Sequence, residues 1–256
     1  RKRVMLFEAG DMSERQVGKR LMARVAQHPF RSPRGEWPYT LKYPKKILPP
    51  KVKGEWATVE CEDRVFDRPL NDELAKAACK NAIEHKIRSN EKYLYMECHP
   101  NDSLSVPAIK AALEIKSREG WTPDVVVIDY ADILAMPYGK MDPRDQINKT
   151  WKGLRALSQQ FHCLVVTATQ ANAAAYERQL LNRKSFSEDK RKLAHVTGLI
   201  GINVTGEEKS RGVYRLNWIG ERELGSSWTQ VIHVARCLPL ANPCVRSVFG
   251  EEEKDG

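Results

Sequence analysis

The stretch Asp124-Val125-Val126-Val127-Ile128-Asp129-Tyr130 decides the fold of this chain. Four β-branched apolar residues in succession cannot alternate between a wet and a dry face, so they describe a strand buried on both sides, in the middle of a parallel sheet. The carboxylate of Asp129 then stands where the strand stops, at the rim where α/β proteins bind ligands. Two other stretches repeat the pattern of an apolar run with a polar tip: Val4-Met5-Leu6-Phe7-Glu8-Ala9-Gly10-Asp11 and Cys163-Leu164-Val165-Val166-Thr167-Ala168-Thr169-Gln170. The strands at 3–8, 124–129 and 163–168 are expected to be neighbours, with Asp11, Asp129 and Gln170 at one edge of the sheet.

Helical patterns separate these strands. Ser13-Glu14-Arg15-Gln16 is a capping box opening a helix to about Gln27, and Leu70–Arg88 has helical spacing. A strand at Tyr93–Met96 follows, then a helix capped by Ser105 with Pro107 in its first turn, running to about Arg118. Asp145–Phe161 and Ala171–Leu181 read as further helices. Strands alternating with helices imply a parallel sheet with right-handed crossovers. The last third differs: Leu199–Thr205, Val213–Ile219 and Thr229–Ala235 are strands with short connections, expected as antiparallel or mixed strands at the C-terminal edge. One main domain is expected over 1–240. Residues 28–60 read as a Pro-rich surface insertion, irregular from His28 to Lys53, and 241–256 as a frayed acidic tail.

Composition narrows the class. The chain has 256 residues, 41% of them apolar, and no apolar run near the roughly 18 residues that cross a bilayer. A soluble, cytoplasmic protein with no membrane partner is expected. The six cysteines contain no C-x-x-C and read as reduced thiols. Cys61, Cys79, Cys98 and His99 are a conceivable zinc set, but their spacings match no zinc finger. The net charge of +9 is concentrated at one end: residues 1–60 hold 14 Lys and Arg against 6 Asp and Glu. Such a segment suits a polyanion such as nucleic acid, or serves only as a solvated face.

Hydrolysis of a magnesium nucleotide needs a carboxylate for the metal's water shell, a base for the attacking water, a polar sensor of the γ-phosphate and cations for the developing charge. The motifs that match these needs resemble the DnaB-type replicative helicases. Glu8-Ala9-Gly10-Asp11-Met12-Ser13 is similar to the strand end where that family carries a catalytic acid followed by Met-Ser. Val125-Val126-Val127-Ile128-Asp129-Tyr130 resembles its Walker B strand, and Val165-Val166-Thr167-Ala168-Thr169-Gln170 its sensor strand. The resemblance covers residues 3 to about 235 in the same order. It implies a RecA-like α/β fold, a mainly parallel sheet flanked by helices, and ATP and Mg²⁺ as cofactors, with a homo-oligomeric ring or filament on single-stranded DNA.

Carried over, the metal-shell aspartate falls on Asp129, the catalytic acid on Asp11 and the sensor on Gln170, with Thr169 beside the nucleotide. The family has Glu where Asp11 stands, and Glu8 is a competing acid. Asp132 reads as a loop or helix-start residue. The arginine finger falls on Arg222, although Gly220 stands where the family often has Lys; Arg215 is the alternative. Segments that face DNA in the family contain Lys140 and Arg144 here, then Arg178, Arg183, Lys184, Lys190, Arg191 and Lys192, with Tyr176 and Phe186 as stacking candidates. The sequence departs from the family in containing no G-x-x-x-x-G-K-[ST] phosphate loop. The expectation is therefore an ATP hydrolase of phage or bacterial helicase type that is inactive without that segment. The alternatives are a non-catalytic DNA-binding or scaffolding relative and a metal-dependent nuclease built on Asp124, Asp129 and Asp132.

Overall fold

The computed structural model describes residues 2–52, 56–86, 92–136, 142–172, 180–186, 190–221 and 230–251. The chain divides into two compact units: residues 1–17, 89–172 and 186–196 form the first, and 18–88, 173–185 and 197–256 the second.

The first unit is built on a parallel sheet of β1 (Val4–Glu8), β4 (Leu94–Cys98), β5 (Val125–Asp129) and β6 (Leu164–Thr167), in the order β4-β1-β5-β6. The three strands expected to be neighbours are neighbours, in a single parallel register. Val126 and Ile128 of the deciding stretch are buried with Met5 and Phe7 against α3 (Val106–Arg118) and α4 (Pro143–Phe161), which supply Ile109, Leu113, Trp151, Leu154 and Leu157. Each helix starts where its sequence dictates. The Ser105 hydroxyl accepts the Ala108 N–H, and Asp142 accepts the Arg144 N–H at 2.9 Å with Pro143 as the first helical residue. Strand β6 lies at the edge, and its Leu164 and Val166 are 58% and 42% exposed. Helix α1 (Glu14–Ala26) follows β1, as its capping box requires.

The second unit contains α2 (Asp72–Lys86) and an antiparallel sheet of β7 (Gly198–Asn203), β8 (Val213–Glu221), β9 (Gln230–Cys237) and β10 (Asn242–Glu251), in the order β10-β9-β8-β7. The C-terminal strands are thus antiparallel as expected, and they pair with one another as a sheet of their own. Two expectations are corrected here. Residues 28–60 are not without regular structure: β2 (Tyr39–Leu48) and β3 (Thr58–Phe66) form an antiparallel hairpin. The alternation of Leu41 and Ile47 with lysines was masked by prolines, and Pro44 sits at a register shift where a strand tolerates a missing N–H. The hairpin packs Leu41 against Cys237 and Leu240, and Ile47 against Ala235 and Val248. The acidic tail is the second correction, since Asn242–Glu251 is a strand paired to β9. Its acidic residues begin only at Glu251, while Val248 packs inward. The helix expected over Ala171–Leu181 falls largely outside the described residues.

Among the described residues no helix is long and apolar enough to cross a membrane. All six cysteines are free thiols.

Candidate functional site

The rim is set by where three adjacent strands stop. Glu8 lies opposite Asp129, and Ile128 opposite Thr167, so the ladders of β1, β5 and β6 end at one level. Three hydrogen bonds pin that level. The Ala9 N–H donates to the Asp129 carbonyl at 2.8 Å, and the Thr167 hydroxyl donates to the Ile128 carbonyl at 2.9 Å while accepting the Ala131 N–H at 2.9 Å. Asp11, Asp129 and Gln170 therefore emerge at the carboxyl ends of three neighbouring parallel strands. Asp11 and Gln170 are exposed and Asp129 is half-buried.

Glu8 has a different task from the one weighed for it. It is 1% exposed, and its Oε1 accepts the N–H groups of Gly10, Asp11 and Met12 at 3.2, 2.8 and 2.9 Å. Three successive amides converging on one carboxylate oxygen form an anion nest, and the anion is the protein's own. The turn that presents Asp11 is built this way. It also needs Gly10, whose φ is +114° and where a Cβ would run into the backbone of Asn101. Of the two candidate acids, Asp11 is exposed and Glu8 is buried in the turn it builds.

At the tips of β5 and β6, Asp132 and Lys192, read from the sequence in other roles, carry the geometry. Asp132, in a short 3-10 turn (Ala131–Ile133), accepts the Thr169 hydroxyl at 2.6 Å and the Gln170 N–H at 3.4 Å. Its other oxygen pairs with Lys192 Nζ at 2.7 Å, and Lys192 also donates to Thr169 Oγ1 at 3.2 Å. The Gln170 side-chain amide donates to the Tyr130 hydroxyl at 3.2 Å. Asp132 lies three residues beyond Asp129 and is drawn to the same rim, which its position after a buried strand could have signalled. Lys192, expected at a nucleic-acid surface, has its ammonium turned inward, with a side chain only 15% exposed.

The remaining candidates are scattered. Arg144 is exposed on the first turn of α4, and Arg183 is exposed in a 3-10 turn (Arg183–Phe186). The backbones of Lys184, Lys190 and Arg191 lie in two 3-10 turns, and their side chains are outside the described set. Lys140, Arg178, Tyr176 and Arg222 lie outside the described residues. Arg215 is corrected as an alternative finger: it is fully buried and ion-paired with the equally buried Glu208 at 2.7 Å, its guanidinium over the Trp56 ring at 4.9 Å. Asp124 stands at the amino end of β5, where the Arg3 N–H at 2.7 Å, and then Lys2, hold its carboxyl below the usual range. It is thus at the opposite end of the strand from Asp129 and Asp132. Among the described residues no three His, Cys, Asp or Glu are placed to hold a metal together, the set of Cys61, Cys79, Cys98 and His99 included.

A parallel sheet flanked by helices, together with a separate antiparallel sheet from the C-terminal part, matches RecA-like helicase domains in fold. More narrowly, the fold is similar to that of DnaB-like helicase ATPase domains. One solved ATPase domain of this kind matches with a TM-score of 0.65 at 13% identity, over 98% of this chain and 75% of that one. A DnaB-like replicative helicase, described with its interactions with primase, matches with a TM-score of 0.65 at 12% identity, over 94% of this chain. The chain spans about half (51%) of the length of that second protein. No protein-family model matches the sequence. No curated protein matches it either.

Proposed function

We propose that the chain is the ATPase core of a DnaB-like DNA helicase or DNA-remodelling motor, carrying the metal, base and sensor half of the site. The observation that carries this reading is the emergence of Asp11, Asp129 and Gln170 at the carboxyl ends of three adjacent parallel strands. Asp129 would hold the water shell of Mg²⁺, Asp11 would orient the attacking water, and Gln170 with Thr169 would face the γ-phosphate. Bound ATP and Mg²⁺ supply the phosphoanhydride and the charge that lowers its cleavage barrier.

The donor set fits the metal and the terminal phosphate, and it does not supply a cradle for the triphosphate. The nest of amides at residues 10–12 is filled by Glu8, and the 256 residues contain no G-x-x-x-x-G-K-[ST]. The chain alone is therefore expected to hydrolyse ATP negligibly. Joined to a segment bearing a phosphate loop, it is expected to hydrolyse ATP and to lose that activity on Asp129→Asn. Robust turnover by the 256-residue chain that survives Asp129→Asn would overturn the reading. The filled nest also favours the second reading, a non-catalytic DNA-binding or scaffolding relative; a joined protein that binds DNA but never turns over would establish it.

Single-stranded DNA is the proposed partner, met by Lys140, Arg144, Arg178, Arg183, Lys184, Lys190 and Arg191. A homo-oligomeric ring or filament would let Arg222 complete a neighbour's site. Binding should be sequence-tolerant and fall steeply with salt. Replacing Lys184, Lys190 and Arg191 by Ala should flatten the salt slope by roughly 0.7 for each phosphate contact removed. An unchanged slope would move the contact to the basic first sixty residues.

A further inference from the structure

The ladder between β5 and β6 ends at Ile128 opposite Thr167, so Thr169 and Gln170 lie beyond the sheet's hydrogen bonds. One carboxylate takes over there. Asp132 Oδ2 accepts both the Thr169 hydroxyl and the Gln170 N–H, and its Oδ1 is held by Lys192 at 2.7 Å. The proton inventory closes: the Thr169 hydroxyl gives its single proton to Asp132 and accepts from Lys192 at 3.2 Å. Lys192 is fixed from its other side as well, its ammonium 5.7 Å from the centre of the Trp151 ring in the core of the first unit. The pair is shielded from water, with side chains 15% and 21% exposed, where charge-assisted bonds are roughly twice as strong as neutral ones.

We infer that Asp132 and Lys192 are positioning residues that fix Thr169 and Gln170 at the tip of β6, and that Lys192 belongs to this anchor and not to a nucleic-acid surface. The anchor stands on geometry alone; only its catalytic consequence rests on reading Gln170 as the γ-phosphate sensor. Without the pair, Asp132 would swing toward solvent and Gln170 would lose the N–H contact that holds its backbone at the strand tip.

Amide hydrogen exchange on the full 256-residue chain tests the anchor. In Lys192→Met and in Asp132→Asn, exchange at the Gln170 amide should accelerate roughly tenfold or more, while Val126 and Val165 in the ladder stay unchanged. Lys192→Arg should restore protection, because a guanidinium can reach the same carboxylate. No acceleration at Gln170, or acceleration spread equally over Val126 and Val165, would overturn the inference. Should a single variant fail to fold, the double variant Lys192→Met with Asp132→Asn leaves no unpaired charge and is read in the same way. In a chain joined to a phosphate-loop segment, Lys192→Met should lower kcat about tenfold with KM for ATP unchanged, and a change in KM alone would overturn the positioning role. If that joined protein hydrolyses nothing, the ATPase reading fails while the exchange result still decides the anchor.

Discussion

The two units place their polar groups in opposite ways. In the first, the sheet's interior is apolar and its fully buried carboxylate, Glu8, is used up by its own turn, while Asp11 and Gln170 are exposed at the rim: Met5, Phe7, Val126 and Ile128 are buried. In the second, charge is sealed inside. Glu208 from α5 (Gly206–Arg211) and Arg215 of β8 are both fully buried, His233 of β9 lies directly across from Arg215, and Asn203 and Asn217 bond each other at 2.9 Å. A buried charge needs its partner in either unit, Arg215 for Glu208 and the amides of residues 10–12 for Glu8, whereas Asp11 stands exposed at the rim. The lesson is that a charged residue's sequence type says little about its role until its solvation is known: Arg215 and Arg222 look interchangeable in sequence, and Arg215 is sealed against Glu208.

The contrast breaks most visibly at Glu208. Glu208→Ala should cost about 3–5 kcal/mol in urea unfolding, because it strands the Arg215 guanidinium without its counter-charge. A loss below about 1 kcal/mol would mean that the sealed pair is not what holds the second unit. Next in size is Glu8→Ala, which removes the common acceptor of three amides and should cost about 2–3 kcal/mol, with faster amide exchange at Gly10, Asp11 and Met12. Retained protection at those amides would show that the turn needs no internal anion.

Titration gives a smaller and signed effect. Burial first, and then the nearby Arg215, push the His233 imidazole below its ordinary range. The unfolded chain therefore takes up this proton at a higher pH than the folded one. The stability contributed by neutral His233 is complete above about pH 6.5 and is lost as pH falls below it, by at most about 1.4 kcal/mol per pH unit. Unfolding midpoints measured from pH 7.5 to 5 should fall, and His233→Asn should flatten the slope. The smallest effect belongs to Asp124→Asn. That carboxylate sits at the far end of β5, and the substitution should lower the unfolding midpoint at neutral pH only slightly and leave any nucleotide binding unchanged. A loss of nucleotide binding there would revive a site that uses Asp124.

Much of the first unit was legible because its signals are local. A run of β-branched residues with a polar tip needs no knowledge of distant chain to be read as a central strand, and three such runs fixed the rim with Asp11, Asp129 and Gln170 on it. The hairpin β2–β3 was hidden because its inward residues alternate with lysines and prolines, so composition spoke louder than period. The parts of Glu8, Asp132 and Lys192 were hidden for another reason. Each depends on which way a charged side chain turns: Glu8 onto its own following amides, and Lys192 onto a carboxylate sixty residues earlier. No pattern in the sequence fixes that choice.

The uncharged edge of β6 bears on how the protein will behave in the test tube. Leu164, Val165 and Val166 carry no gatekeeping lysine or proline, and among the described residues this strand is paired only on the β5 side. Such an edge is a template for another strand, so purified chain should associate progressively as it is concentrated. Val166→Lys, at a position 42% exposed, should keep it dispersed without disturbing the buried face of the sheet.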